Sequence, residues 1–513
     1  MDRREFIEFL GYGSIGLAGS QLLNSCSTLP KSSKFQGIKP ILTDSLELSP
    51  GFTWDRMISW GDKINATEYF GHNNDYIDYI PLPGKPGEFL LWVNNEYVGP
   101  LMGLVSGKER TKKNVDIERA AVGASVVHIK KINGSWKVQF DSKHNKRING
   151  TTKIPFSNNH IIKGSNIAEG TINNCSGGKT PWNTILTCEE NYNYCYGDRS
   201  FSGKELSPAY DKWNKYYPNP PEHYGWVVEV DPVTMKAEKR VEMGRFMHEC
   251  ALVVPSKNGL VVYSGDDSRG EHLYKFVSDY DRSLSKGTLY VADIEKGKWL
   301  PLDITKDKRL EKFGTQQNVM VYAREAAKIL GATALDRPED IKLNPINGDI
   351  VFTLTNNKKT FNYHGKICKI TENGNYASTD FKYEELHIGG EESGFSCPDN
   401  LAFDKFGNLW FATDISGSKI GKSRYKAFGN NALFVVPASG EDQGKIIQIG
   451  SAPVAAEFTG IRFAPDSNSM FLSVQHPGET SKSKTQLTSN WPFGGNELPR
   501  SSVVEIKSKF FES

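Results

Sequence analysis

The sequence lacks the short motifs by which many enzymes and metal sites are recognised. Its seven cysteines are an odd number with no CxxC pair, so zinc-finger spacing is absent and a regular disulfide framework is not expected. There is no GxSxG nucleophile elbow, no Walker loop and no HExxH pair. If the chain is an enzyme, its reactive groups must therefore come from another pattern.

An excess of charge of one sign is also missing. The 62 basic and 60 acidic residues among 513 leave a formal net charge of +2, and no basic run is long enough to follow a nucleic-acid backbone. Beyond Leu23 no apolar stretch reaches the roughly 20 residues that a membrane-spanning helix needs. We therefore expect neither a nucleic-acid partner nor a membrane span. The 38% hydrophobic content is that of a soluble globular protein.

The N-terminus carries an export pattern. Arg3 and Arg4 form a twin-arginine pair, and a weakly apolar, glycine-rich run follows over residues 9–23. The sequence ending at Cys26 then resembles a bacterial lipobox. A chance charged start to an amphipathic helix would not explain this order. We interpret residues 1–26 as a twin-arginine signal peptide with Cys26 as the lipidation site, which implies the export machinery as a partner and a periplasmic or cell-envelope location.

The remainder of the chain divides into a linker and one domain. Residues 27–50 are rich in Ser, Lys and Pro, which indicates a linker. Over residues 51–513, short β-branched or alternating runs are separated by Gly, Asn, Asp and Pro, which indicates a single all-β domain. Residues 317–330 are an exception, because apolar residues at near-helical spacing and Gly331 as a stop predict a helix.

A strand–turn–strand pattern recurs in this domain. Four segments join two short strands across a turn of Pro, Asp, Asn or Gly, at residues 248–266, 338–355, 398–414 and 458–474. Repeated hairpins of this kind fit the blades of a β-propeller. A β-sandwich would also have short strands, but it would not explain the recurring hairpin. We therefore predict an all-β fold, a six-bladed β-propeller with long loop and helical insertions.

Acidic residues recur at one edge of these hairpins. Glu249, Glu339 and Asp399 each stand just before a first strand. Other acids stand at the ends of second strands: Glu96, Glu189, Glu190, Asp266, Asp267 and Asp414. The start of the first strand and the end of the second lie at the same edge of a hairpin. Radially arranged blades would therefore bring these acids to one mouth of the central channel.

Crowded carboxylates repel one another unless cations neutralise them, and calcium, with six to eight oxygen ligands, suits such a site. Cys188 stands directly before Glu189 and Glu190, and its soft sulfur suits iron, zinc or copper. The repeated position of the three acids before first strands favours a metal role for them. Taken alone, Asp267 and Asp414 are better explained as turn-capping or solvated residues, and Cys188 as a buried thiol at a strand end.

The sequence resembles the PhoX-type bacterial alkaline phosphatases from about residue 54 to residue 495. The resemblance is carried by residues 94–97, 187–191, 245–249, 265–277, 337–339, 398–403 and 474–479. It implies a β-propeller fold with a mixed iron–calcium cluster that cleaves phosphomonoesters. Asn95, Cys250 and Asn400 depart from the family, in which His, Asn and Gly are usual at these positions. These departures change neighbours of the implied ligands rather than the ligands themselves.

The resemblance also implies roles for individual residues. Cys188 would supply a thiolate to iron (Fe3+), and Glu271 and Glu339 would be carboxylate ligands at the iron end. Arg337 would bind the substrate phosphate, a role that suits a planar bidentate donor. The residues that would hold or support Ca2+ are Glu96, Glu189, Glu190, Glu249 and Asp399.

The leading hypothesis is therefore an exported, monomeric alkaline phosphatase that hydrolyses small phosphomonoesters. A calcium-dependent propeller lactonase or esterase is an alternative, although a site of acids and one Ca2+ would leave Cys188 and Arg337 without a role. A non-catalytic propeller that binds glycan or protein, with calcium in a structural role, is the third. Activity on a chromogenic phosphate ester, with calcium and then with a chelator, distinguishes the three.

Overall fold

The computed structural model describes residues 35–99, 110–256 and 259–512. The twin-arginine pair and Cys26 lie outside the described residues. Within them, no helix combines the length and the apolar character needed to cross a bilayer.

Six antiparallel sheets form the blades of a propeller. The first strand of each blade contacts the first strands of the two neighbouring blades, so the six inner strands form a closed ring around a central channel. The predicted six-bladed all-β propeller is therefore confirmed. The four hairpins singled out in the sequence are the inner hairpins of blades 3 to 6.

For each blade, the strands are given in order from the channel outwards. Blade 1 has Asn74–Pro81, Glu88–Asn95, Gly123–Ile132 and Ser135–Val138, with Lys146–Ile148 also paired to its third strand; blade 2 has Asn174–Lys179, Ile185–Glu189, Val227–Val230 and Ala237–Lys239. Blade 3 has Leu252–Ser256, Gly259–Gly265, Leu273–Ser278, Gly287–Asp293 and Lys298–Pro301; blade 4 has Pro338–Leu343, Ile350–Leu354, Lys366–Glu372 and Phe381–Ile388. Blade 5 has Pro398–Phe403, Leu409–Thr413, Ala432–Val436, Ile447–Ser451 and Glu47–Leu48; blade 6 has Glu457–Phe463, Ser469–Gln475, Ser502–Ser508 and Phe52–Ser59.

Smaller elements lie in the connections between strands. Three two-stranded ribbons pair Lys153–Pro155 with Ile167–Glu169, Asp198–Arg199 with Glu205–Ser207, and Arg269–Glu271 with Leu335–Asp336. The α-helices in the described part of the chain are Lys112–Ala121, Asn193–Tyr196, Gln316–Val321 and Ala323–Leu330. The last two replace the single helix predicted over residues 317–330, because Tyr322, with φ −115° and ψ 41°, interrupts the helical backbone between them.

Both ends of the domain meet in blade 6, which closes the ring. Phe52–Ser59 forms the outermost strand of this blade and pairs with Ser502–Ser508, with Trp54 opposite Ile506. The other three strands come from the C-terminal part of the chain. The two ends of the ring are therefore held together by backbone hydrogen bonds, and blade 6 cannot be completed from one end of the chain alone.

The apolar core lies between adjacent blades. Side chains alternate along each strand, so one strand contributes to two interfaces. In the second strand of blade 1, Leu91 packs with Phe471 of blade 6, whereas Trp92 packs with Ile185 of blade 2. This packing leaves the strand ends, rather than the strand faces, free to build a site.

Part of the segment expected as a linker packs onto the domain. Within residues 35–50, Phe35 and Leu46 are buried in the core of blades 5 and 6, and Glu47–Leu48 adds a strand to blade 5. The linker was predicted from the polar composition of residues 27–50, in which these two apolar residues do not stand out. The structure differs from that prediction over residues 35–50.

Candidate active site

Five of the six blades place an acid or a thiol at an equivalent position on the channel. In each of these blades, the register of the inner hairpin shifts just after its first paired residue. A bulge of this kind takes a side chain out of the strand's alternation and re-aims it. The side chains at this position are Asp75, Cys175, Glu249, Glu339 and Asp399.

These side chains meet others that follow the second strands. Three groups of three potential ligand atoms result, and within each group the atoms lie within 4.8 Å of one another. The groups are Asp75, Glu96 and Cys175; Cys175, Glu190 and Glu249; and Glu249, Glu339 and Asp399. Because Cys175 and Glu249 each belong to two groups, the three groups form one continuous, buried cluster, which we call the axial cluster.

Negative charge in the axial cluster is only partly balanced by the protein. Burial, followed by the carboxylates of Glu339, Glu190 and Asp399, raises the pKa of Glu249 well above its usual range. Burial raises the pKa of Glu96 to about 7. The pKa values rise because burying several negative charges close together is unfavourable in free energy. We therefore expect cations to bind in the axial cluster.

Two buried oxygens in the cluster lack hydrogen-bond partners within the described part of the chain. They are Oδ1 of Asp75 and Oδ1 of Asp399. Gln475 Nε2 holds the other oxygen of Asp75 at 2.9 Å and Glu96 Oε2 at 2.8 Å, and Cys175 Sγ lies 3.3 Å from Glu249 Oε1. Buried, unpartnered carboxylate oxygens beside a thiol fit a centre that combines hard, oxygen-binding cations with a softer metal.

Removal of cations should make the stability of the protein depend on pH in a defined direction. The folded-state pKa values of Asp75, Glu190 and Glu249 are raised, first by burial and then by neighbouring acids. A carboxyl group whose pKa is higher in the folded protein than in the unfolded chain, where it is about 4, stabilises the fold at pH values below about 4. This stabilisation is lost as the pH rises through the pKa of the folded protein.

We therefore expect the Tm of chelator-treated protein to fall as pH rises from about 5 to about 8, because the carboxylates ionise without a counter-charge. The metal-loaded protein should show a much smaller fall, since bound cations offset the repulsion. Differential scanning calorimetry of both forms checks this. Parallel pH profiles for the two forms would show that the cluster does not bind the removed cations.

The structure brings together five of the predicted metal ligands and leaves three elsewhere. Glu96, Glu190, Glu249, Glu339 and Asp399 all belong to the axial cluster. No three-ligand group among the described residues includes Cys188, Glu189 or Glu271.

Each of these three residues has other partners. Cys188 is fully buried in the apolar core with Leu186 and Trp226, because alternate residues of its strand face the same blade interface. Glu189 forms a fully buried ion pair with Lys239, with Oε1 and Nζ 2.5 Å apart, and accepts backbone hydrogen bonds from Gly225 and Trp226.

Glu271 lies on the short ribbon strand Arg269–Glu271. Its Oε1 pairs with Nζ of Lys328 at 2.5 Å, on the helix Ala323–Leu330. Its Oε2 is buried without a hydrogen-bond partner in the described chain.

Sequence reasoning missed Asp75 and Cys175. Both lie in the inner strands of blades 1 and 2, whose hairpins were not recognised as copies of the repeat. A signal was present, because each opens a hairpin whose second strand leads directly into an acid already singled out, Glu96 or Glu190.

A cavity of about 410 Å3 opens beside the axial cluster, and Arg337 lies in its wall. Nε and Nη2 of Arg337 each donate to a different oxygen of Asp267 at 2.8 Å, and Nη2 lies 2.7 Å from Glu339 Oε1. Among the residues that the structure describes, Nη1 has only a 3.5 Å contact with Asp414. Arg337 also has a φ of 63°, a left-handed backbone that is costly for a non-glycine residue and is concentrated at functional sites. Nη1 is therefore the nitrogen left to bind a ligand.

The comparisons with known proteins agree with this geometry. Residues 33–478 match the profile of the family described as alkaline phosphatase PhoX. The chain belongs to the PhoX family of alkaline phosphatases. It is therefore a phosphatase, and the resemblance noted in its sequence is confirmed.

A solved structure of this family is similar over nearly the whole chain. Pseudomonas fluorescens PhoX, in complex with the transition-state analogue vanadate, is 30% identical, with a TM-score of 0.81 over 93% of this chain and 98% of that one. Virginiamycin B lyase from Staphylococcus aureus is 7% identical over 89% of this chain and 99% of its own, but its TM-score of 0.33 is too low to bear on function. No curated protein matches the sequence.

Proposed function

We propose that this PhoX-family phosphatase is a metal-dependent phosphomonoesterase whose axial cluster binds Ca2+ and Fe3+. The observation that carries the proposal is the continuous cluster of carboxylates and one thiol beside the cavity that Arg337 lines. Carboxylate ligands for these cations would come from Asp75, Glu96, Glu190, Glu249, Glu339 and Asp399. We assign the thiolate ligand of iron to Cys175, next to Glu249, in the place that the family resemblance gave to Cys188.

Polarisation of the phosphate and acidification of the attacking water are the chemistry that such cations supply when bound. The protein's own contribution to the reaction is the placement of Arg337. Asp267 and Glu339 hold two of its nitrogens, so the guanidinium is fixed before the substrate enters. Nη1 then donates to a phosphate oxygen, and this hydrogen bond strengthens as negative charge develops in the transition state.

The cellular setting follows from the sequence alone and belongs to the same proposal. The twin-arginine pair and Cys26 support export to the periplasm or cell envelope, with a lipid anchor at Cys26. Twin-arginine export moves folded proteins, which suits a chain that binds its metals before export. We expect the exported protein to be a monomer.

The proposal is tested on natively exported protein. Elemental analysis should find calcium and iron, and 4-nitrophenyl phosphate should be hydrolysed in the presence of Ca2+. Chelation should abolish the hydrolysis, and restored cations should recover it. Turnover of a lactone without turnover of the phosphate ester would favour the lactonase alternative. Full activity after complete removal of metals would contradict the proposal.

A further inference from the structure

Two cations line the cavity without a carboxylate partner. Arg269 and Lys419 contribute to its wall, and within the described residues neither has an acid within 4.0 Å. Arg337, in the same cavity, is balanced by Asp267 and Glu339. Charge left unpaired in a cavity wall is available to a ligand.

Arg269 and Lys419 are nevertheless held in place. Arg269 Nη2 donates to Asn356 Oδ1 at 2.5 Å. Nζ of Lys419 lies 5.9 Å from the centroid of the Tyr425 ring, which is within the range of a cation–π contact. An amide oxygen and an aromatic ring orient a cation but carry no negative charge to balance it.

Arg269 and Lys419 each lie close in the chain to an acid that contacts Arg337. Arg269 follows Asp267, and Lys419 lies on the loop that follows Asp414; both of these acids contact Arg337. Arg269 is exposed and Lys419 half-buried, which places them towards the open end of the cavity.

The two cations without a carboxylate partner are held by residues of neighbouring blades. Asn356 and Tyr425, which hold the two cations, belong to connections of blades 4 and 5. The connection after the second strand of blade 2 contributes Asn191, Asn193 and Tyr194, which are uncharged. The acids in the lining, Asp267 and Asp414, both contact Arg337. A substrate whose phosphate lies at Arg337 would therefore extend its leaving group past these acids, along a wall whose remaining charged residues are the cations Arg269 and Lys419.

We propose that Arg269 and Lys419 select phosphomonoesters whose leaving group carries a second negative charge, a carboxylate or a further phosphate, over esters of neutral alcohols. The inference rests on the proposed phosphomonoesterase function and adds its substrate class. A charge-assisted hydrogen bond from either side chain would raise kcat/KM for such esters by about 10- to 100-fold, because the bond is lost when the second anion is absent.

The test compares matched pairs of esters. Glycerol 3-phosphate and 3-phosphoglycerate differ in a carboxylate, whereas fructose 6-phosphate and fructose 1,6-bisphosphate differ in a second phosphate. Release of inorganic phosphate at fixed pH, metal content and ionic strength gives the ratio of kcat/KM within each pair. The two pairs also show which second anion is preferred.

We expect the wild-type ratio to favour the doubly charged ester in at least one pair. Arg269→Met and Lys419→Met should each lower that ratio about tenfold, and Lys419→Glu should reverse it. Lys426→Met is the matched control, because Lys426 is an exposed lysine on the same connection and does not line the cavity. Inhibition constants of phosphonoacetate and methylphosphonate provide a second measurement that does not depend on turnover.

The outcomes separate the inference from the function on which it rests. A wild-type ratio near one in both pairs, or a ratio that neither variant changes, would overturn the inference while leaving the phosphomonoesterase function intact. Failure of the metal-loaded wild-type protein to hydrolyse any of the four esters would overturn both. A ratio that falls equally in the Lys426→Met control would show that general surface charge, rather than the cavity wall, is responsible.

Discussion

Cys175→Ser is expected to remove iron from the protein and to lower phosphatase kcat at least about 100-fold, an effect that exceeds the usual loss from a residue that only supports a ligand. The reason is the position of the thiol. Cys175 Sγ lies 3.3 Å from Glu249 Oε1 and 3.6 Å from Asp75 Oδ2, so it joins two of the three ligand groups. A serine hydroxyl has the same shape but is a poor ligand for a soft metal site.

Cys188→Ala is the matched control. Cys188 is likewise buried, but it packs in the apolar core, so its loss should cost about 1–2 kcal/mol of stability and leave the metals in place. Elemental analysis, kcat and denaturant unfolding of both variants check the assignment. An iron-replete, active Cys175→Ser protein would contradict the assignment to Cys175, and loss of iron from Cys188→Ala would give the ligand role to Cys188.

The fold was largely predictable because the repeat has a local signature. The inner hairpins of blades 3 to 6 each join two short apolar strands across turn residues that recur at short range. The closure of the ring was not predictable in the same way. Phe52–Ser59 pairs with Ser502–Ser508 across almost the whole chain, and no local pattern specifies such a partner.

The site residues at the start of a first strand could be predicted in the recognised copies of the hairpin repeat, whereas the equivalent residues outside these copies could not. Glu249, Glu339 and Asp399 occupy the same place in three recognised hairpins. The family resemblance gave the thiolate role to Cys188, which adjoins two acids in the sequence. Neighbouring residues of a strand point to opposite faces, however, so adjacency along a strand does not imply a shared site. Cys175 has no acid beside it in the sequence and meets its partners only through packing of separate blades.

Arg337→Met is expected to lower kcat/KM for phosphomonoesters about 10²- to 10³-fold while the metals remain bound. Loss of one preorganised donor to developing negative charge typically has an effect of this size. Inhibition by vanadate should weaken by a comparable factor, because a transition-state analogue uses the same interaction. Arg337→Lys should recover only part of the loss, since an ammonium cannot reproduce the fixed fork that contacts Asp267 and Glu339.

Arg324→Met separates this catalytic effect from the general cost of breaking an arginine–aspartate pair. Arg324 Nε donates to Asp266 at 2.7 Å, one residue before the partner of Arg337, but Arg324 does not line the cavity. Its loss should lower stability and leave vanadate inhibition unchanged. If Arg337→Met and Arg324→Met reduce Tm equally and neither changes the vanadate inhibition constant, Arg337 only neutralises Asp267 and Glu339. A selective loss of vanadate binding in Arg337→Met places Nη1 on the phosphate.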